Sequence, residues 1–152
     1  MFSFALNGVL GARQASSQSS SWFRDILQRL LPQMTVEMHK GHCGRIGVIG
    51  GSQEYTGAPY FAAISALKTG ADLAHVFCPK EAAPVIKSYS PELIVHPLLN
   101  ASGDISEIFQ WMDRLHAVVL GPGLGRNLEI QSFISQIFLE IRKRNLPLVV
   151  DA

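Results

Sequence analysis

Two glycine-rich stretches contain the residues whose types and spacing could do chemistry in this chain. The first glycine loop (residues 50–57) and the second glycine loop (residues 121–125) each follow a short apolar run. Glycine allows backbone shapes and close approaches that a Cβ forbids, and such loops present free N–H groups to anionic ligands. One loop alone is explained by a turn of the chain. Two loops after parallel strands meet along one sheet edge, so they predict a shared ligand crevice.

Common phosphate motifs do not account for these loops. No Lys-Ser/Thr pair follows residues 51–57, which excludes a Walker A sequence. Neither loop is a true G-x-G-x-x-G. The second loop is close to one, because it follows a predicted strand, and Asp151 ends the next strand. Pro122 stiffens its turn, however, so a dinucleotide-binding dehydrogenase is only a weak alternative.

Few other side chains point to chemistry. Glu54 and Tyr55 form a polar pair in the first loop, where they could serve a ligand or be a solvated loop tip. Asp151, at the carboxyl end of a predicted strand, is well placed for a ligand. No Ser-His-Asp or Cys-His arrangement follows from spacing. Structural roles are predicted for the packed histidines His75 and His96 and for the turn or cap residue Asp72. Cys43 and Cys78 are alone, without a CxxC partner or a metal-like spacing to histidine.

The elements around the first loop form a βαβ unit. The β-branched run Arg45–Ile49 predicts a buried strand, Pro59 suits a first helical turn, and Gly70 suits a left-handed helix end. A second strand, Leu73–Phe77, follows. Apolar periodicity then predicts a helix over 81–88 interrupted by Pro84, a strand over 93–96, a helical stripe from Ile105 to Leu115 capped by Ser102 or Asp104, a strand at 117–120, a helix over 128–144 and a strand over 146–150. This alternation predicts an α/β fold with a mostly parallel sheet.

The first 21 residues differ from the rest. They contain Arg13 and no acid, and residues 16–21 are almost all serine, which is typical of a mitochondrial transit peptide. A disordered leader is nearly as good an interpretation of these residues. A secretory signal fits them less well, because no positive charge precedes the apolar run at residues 2–10. We expect a helix over 22–31, a single folded domain over 22–152, and a mitochondrial or otherwise cytoplasmic location.

Composition narrows the class of partner. The chain has 152 residues, 47% of them hydrophobic, which is enough for a real core. Its 13 Lys+Arg balance 12 Asp+Glu, so bulk charge favours neither nucleic acid nor a membrane surface as a partner. No stretch reaches the length of a membrane span, and two unpaired cysteines favour a reduced compartment. A small-molecule substrate is the expected partner, with self-association left open.

Particular residue strings go beyond a generic α/β pattern. Residues 40–41, 44–52 and 54–60 resemble the ATP-dependent NAD(P)H-hydrate dehydratases, as do residues 65–68, 70–72, 89–92 and 121–126. The resemblance runs from about Phe23 to the last residue. It implies a ribokinase-like three-layer α/β/α fold with a mostly parallel central sheet, present here as the N-terminal part of the domain and truncated after about half of it.

The resemblance also implies a reaction and a site. Family members use ATP with Mg²⁺ to dehydrate the S form of hydrated NADH or NADPH back to the normal cofactor, which is nicotinamide cofactor repair. Ala58 and Gly123 match positions that touch the hydrated cofactor, and their small size suits a flat ligand. The weaker candidates, as loop-shaping neighbours, are Glu54, Tyr55, Gly57, Gly121 and Gly125.

The resemblance also predicts what this chain lacks. The family's catalytic aspartate and its ATP-binding region lie beyond Ala152, so we expect no ATP or metal site here, an inactive isolated chain, and an unpaired apolar sheet edge at Val150. Two alternatives are a non-catalytic isoform that binds nucleotide or a partner, and a small-molecule kinase of the same fold. The string from Glu54 to Pro59 favours the dehydratase over the kinase.

Overall fold

The computed structural model describes residues 21–29, 35–100 and 104–151. They belong to two compact units, residues 1–38 and residues 39–152. In the first, helix α1 spans residues 21–29, which confirms the predicted helix as far as the description reaches. The predicted leader lies outside the described residues, apart from Ser21. Nowhere in the described ranges is a helix both long and apolar enough to cross a membrane.

The second unit is built on a five-stranded parallel sheet. Its strands are β1 (Arg45–Ile49), β2 (Leu73–Phe77), β3 (Ile94–His96), β4 (Ala117–Leu120) and β5 (Leu148–Val150). They lie in the order β3-β2-β1-β4-β5, and every pair is parallel. This confirms the predicted parallel sheet, with β1 at its centre. Val149 and Val150 on the edge strand β5 are each 62% exposed, as expected for that edge.

Four helices connect the strands, and their bounds differ from the predictions at a few ends. They are α2 (Gly57–Lys68), α3 (Ala83–Tyr89), α4 (Ile105–Met112) and α5 (Leu128–Lys143). The prediction that Pro84 interrupts a helix from residue 81 was wrong. Pro84 lies in the first turn of α3, where its missing N–H costs nothing. Asp104 is the cap of α4, since its carboxylate accepts from Ser106 N at 2.8 Å.

Hydrogen-bonded caps of one type end the helices α2 and α5. After α2, Gly70 has φ +115°, Gly70 N donates to Leu67 O, and Ala71 N donates to Ala66 O, which is a Schellman motif. The same motif ends α5, where Leu146 N donates to Ile141 O. Because this bond holds Leu146 in the helix cap, β5 begins at Leu148 and not at the predicted residue 146.

Apolar side chains alternate between the two faces of the sheet. On β1, Val48 packs with α2 and α3 while Ile49 packs with α4 and α5, and on β2 the residues Val76 and Phe77 divide in the same way. Both faces are therefore buried under helices, which is the three-layer arrangement that near-continuous apolar strands require. The sheet faces hold the core, so its carboxyl edge is left for a ligand.

A histidine pair lies in the core next to α4, as predicted for His75. His75 is 4% exposed, and its Nδ1 lies 3.0 Å from Nε2 of His96. The Trp111 ring lies against both imidazoles. Burial lowers the pKa of His75, with Arg45 adding to the effect. Burial also lowers the pKa of His96 to about 4, with contributions from His75 and Lys87.

This pair predicts a loss of stability in acid. An unfolded histidine takes up a proton below its ordinary pKa of 6.5, whereas folded His96 does so only below about 4. The unfolded chain therefore binds more protons between these values, and the free energy of unfolding should fall as pH drops through that window. Urea denaturation across the window should show a smaller fall for His96→Gln. The exposed-site control His39→Gln should behave as the parent, and an equal fall in all three proteins would refute the assignment.

Candidate functional site

The two glycine loops lie side by side at the carboxyl edge of the sheet. Gly51 N donates to Pro122 O at 2.8 Å, and Gly121 N donates to Ile49 O at 3.0 Å. The crossover from β1 leads to β2 on one side, while β4 and β5 lie on the other side of β1. The loops therefore flank the point where the strand order reverses, which is where open α/β sheets bind ligands.

Close backbone packing joins the second loop to the end of β5. Gly121 has φ +123°, and a Cβ there would overlap the carbonyl oxygen of Asp151 and lie 2.9 Å from its carbonyl carbon. Asp151 N in turn donates to Leu120 O at 2.9 Å. A Cβ at Gly50 would likewise overlap the carbonyl oxygen of Pro122. Both positions therefore need glycine if the chain segments are to approach this closely.

Gly123 lies against the first loop and the start of α2. It has φ +66°, and a Cβ there would lie 2.9 Å from Tyr55 O and 3.3 Å from the Cβ of Ala58. Ala58 is exposed in the first turn of α2. The structure thus brings together Ala58 and Gly123, the two residues that the resemblance singled out.

Ser52 shapes the first loop, and the sequence reasoning did not identify it. Ser52 N donates to Tyr55 O at 3.2 Å, and Tyr55 N donates to Ser52 Oγ at 3.1 Å. A Cβ at Gly125 would lie 3.4 Å from Ser52. A serine three residues before Tyr55, just after two glycines, is a turn signal that could have been used.

An open cleft of about 1080 Å³ adjoins this contact. It is lined by the predicted residues Glu54, Tyr55, Gly121, Gly123 and Gly125, by Asp151, and by further residues of the second loop and α5 that include Ile130 and Ile134. Gly57 and Ala58 do not line it. Gly57 begins α2, where a Cβ would meet only the ring of Phe61 at 3.8 Å.

A smaller cleft of about 590 Å³ lies over the ends of β1 to β4. Its polar residues include Lys80, Glu81 and Arg126, none of which was predicted as a site residue. Asn127 also lines it and caps α5, since its Oδ1 accepts from Glu129 N at 2.9 Å. The sequence signal that could have found these residues is their position directly after strands or at a helix start.

The remaining polar candidates have structural roles. The carboxylate of Asp72 accepts hydrogen bonds from Cys43 N at 2.8 Å and from Gly41 N at 2.9 Å. The bond from Cys43 has the larger effect, and both lower the pKa of the Asp72 carboxyl. It precedes β2 and so lies at the amino edge, away from the loops. Cys78 is fully buried, and burial raises the pKa of its thiol to about 12, so it stays protonated.

Within the described ranges, no three His, Cys, Asp or Glu side chains are grouped to hold a metal ion.

Comparisons with known proteins agree on a family. The family model described as NAD(P)H-hydrate dehydratase matches residues 46–152. A mouse protein named ATP-dependent (S)-NAD(P)H-hydrate dehydratase is 57% identical over 127 residues, which cover 84% of this chain and 37% of the mouse protein. The human protein of the same name is 55% identical over 127 residues, again 84% of this chain and 37% of the relative. The chain thus spans little more than a third of these relatives.

Solved structures confirm the predicted ribokinase-like fold. A ribokinase-like superfamily protein from Enterococcus faecalis superposes with a TM-score of 0.63 at 22% identity, covering 76% of this chain and 39% of that one. An ADP/ATP-dependent NAD(P)H-hydrate dehydratase from Bacillus subtilis, co-crystallised with ATP/Mg²⁺, has a TM-score of 0.59 at 22% identity, covering 80% of this chain and 42% of that one. At this identity the likeness concerns the fold alone.

Proposed function

The chain belongs to the NAD(P)H-hydrate dehydratase family, and we propose that it supplies the wall of the hydrated nicotinamide site in an enzyme of that activity. The reaction would be the ATP-dependent dehydration of (S)-hydrated NADH or NADPH, which is the activity in the names of the mouse and human relatives. Because the chain spans 37% of their length, we propose the complete reaction for a protein of the relatives' length that carries this sequence.

The contact of Gly123 with Tyr55 and Ala58 carries the proposal. A Cβ at Gly123 would already crowd both residues, so glycine is needed where the second loop meets Tyr55 and Ala58. Tyr55 and Gly123 also line the cleft of about 1080 Å³. Gly123 and Ala58 are small and leave room beside the exposed ring of Tyr55, and such a place next to an open cleft suits a flat ligand ring. Positioning that ring is what a dehydratase wall must do.

The chemistry explains why ATP is needed. The hydroxyl of the hydrate is a poor leaving group, and a phosphoryl group transferred from ATP turns it into a good one. Loss of phosphate and a proton then restores the nicotinamide ring, so the net products are NAD(P)H, ADP and phosphate. The part that we propose for the described residues of this chain is to position the ring. The cellular role that we propose is nicotinamide cofactor repair. The acid-poor, serine-rich leader supports a mitochondrial location for it.

A chimera tests the proposal in a full-length context. In it, the matching segment of this chain replaces the corresponding 127 residues of the mouse relative. We expect ATP-dependent formation of NADH from its S hydrate, followed by NADH absorbance. A folded chimera that does not convert the hydrate would reject the proposal. ADP formation with a stable phosphorylated product, and no NADH, would favour the small-molecule kinase.

A further inference from the structure

We propose that the smaller cleft, of about 590 Å³, binds the ribose and phosphates of the adenosine half of the hydrated dinucleotide. This inference rests on the proposed function, because it needs the nicotinamide ring to lie at Gly123. The cleft volume falls within the range of about 300–1000 Å³ that is usual for small-molecule sites.

The two clefts have one wall in common. Glu54, Leu124, Arg126 and Ile130 line both of them. A long ligand can therefore cross this wall with one end in each cleft. A dinucleotide is such a ligand, since its two nucleoside halves are joined by a pyrophosphate. With the nicotinamide at Gly123 in the larger cleft, the pyrophosphate would pass Arg126 and the adenosine half would enter the smaller one.

Two cations of the smaller cleft are available for phosphate. Lys80 follows β2 and Arg126 follows β4, so the two come from separate loops. The ion pairs found within the described ranges join other residues, namely Glu140, Lys143, Arg144 and Asp113. Arginine presents a planar fork that matches phosphate oxygens, and lysine adds a mobile point charge.

The carboxylates in the same cleft favour a nucleotide over a free anion. Glu54 and Glu81 line it beside the two cations. A site for inorganic phosphate gains nothing from carboxylates, whereas a ribose needs acceptors for its hydroxyl donors, a role that Asp or Glu fills in dinucleotide sites. Leu124 and Ile130, both half-buried, add apolar surface for a base. The mixture of groups matches ribose, phosphate and base together.

Two ligands of different length test the inference. Hydrated NADH contains the adenosine half, and hydrated reduced nicotinamide mononucleotide lacks it. We expect the parent chain to prefer the dinucleotide, as measured by calorimetric titration. Lys80→Ala should lower that preference about tenfold, the usual scale for a lost charge-assisted bond. Lys87→Ala, which removes an exposed lysine of α3 outside both clefts, is the matched control and should keep the preference.

The outcomes separate this inference from the proposed function. Equal affinity of the parent for the two ligands, or an unchanged preference in Lys80→Ala, would overturn the subsite while leaving the nicotinamide wall intact. Failure of the parent to bind either hydrate would overturn both. The same variants in the chimera give a second measurement that does not depend on the isolated chain. There, Lys80→Ala should raise the KM for hydrated NADH with little change in kcat.

Discussion

Replacing Gly121 by alanine is expected to destabilise the fold by about 3 kcal/mol or more. The backbone there has φ +123°, which an L side chain rarely adopts, and the new Cβ would overlap the carbonyl of Asp151. Neither partner can yield easily, because Asp151 N is bonded to Leu120 O at 2.9 Å and Gly121 N to Ile49 O at 3.0 Å. The free-energy costs of the strained backbone and of the overlap with Asp151 therefore add. Urea unfolding followed by circular dichroism measures the loss.

Two other glycines separate the two causes. Gly70 has φ +115° but open space around its Cβ position, so Gly70→Ala should cost only the strain, about 1–2 kcal/mol. Gly50 lacks a positive φ, but its Cβ would overlap Pro122 O, so Gly50→Ala should cost about 1–3 kcal/mol through crowding alone. If Gly121→Ala were no more damaging than Gly70→Ala, the close packing of the second loop on the end of β5 would be wrong.

Adding bulk at the contact between the loops is expected to weaken binding of hydrated NADH at least about tenfold. Two variants do this from opposite sides, Gly123→Val in the second loop and Ala58→Leu on α2. Gly123→Val strains a backbone at φ +66° and crowds Tyr55, so a folding defect could accompany it. Ala58 is exposed on a helix, so Ala58→Leu should fold normally. Because Ala58 lies against Gly123, which lines the larger cleft, the added bulk should obstruct a ring bound there. Calorimetric titration of the folded proteins measures the affinity.

Matched controls lie on the same helix. Ser65→Leu adds similar bulk at an exposed position of α2 about two helical turns from the contact of Ala58 with Gly123. Gly57→Ala adds a Cβ that meets only Phe61 at 3.8 Å. Both should bind hydrated NADH as the parent does. If Ala58→Leu bound hydrated NADH with the affinity of the parent, Ala58 would not be part of the wall of the nicotinamide site.

Much of the fold could be predicted because its signals are local. The strands Arg45–Ile49, Leu73–Phe77 and Ala117–Leu120 have the predicted bounds, since short β-branched runs next to glycine or proline leave little choice. The ends near Pro84 and Leu146 were wrong for a different reason. They depend on which backbone group accepts each N–H at a helix terminus, and apolar periodicity does not record this.

The site could be predicted only in outline. Topology alone predicts that loops after neighbouring parallel strands share an edge, and Gly51 bonded to Pro122 shows that they do. The juxtaposition of Ala58 with Gly123 came from the family resemblance. Lys80 and Arg126 were missed because they are far apart in sequence, and only the order of β2, β1 and β4 in the sheet brings them to one cleft.

The most direct test of the nicotinamide wall is ATP-dependent recovery of NADH from its S hydrate by the chimera and its Ala58→Leu and Ser65→Leu variants. If the loops form the wall, the parent chimera and Ser65→Leu should regenerate NADH, and Ala58→Leu should lose at least about tenfold in kcat/KM. Equal rates in all three folded proteins would show that the hydrated ring does not lie against Ala58, and would contradict the proposed site.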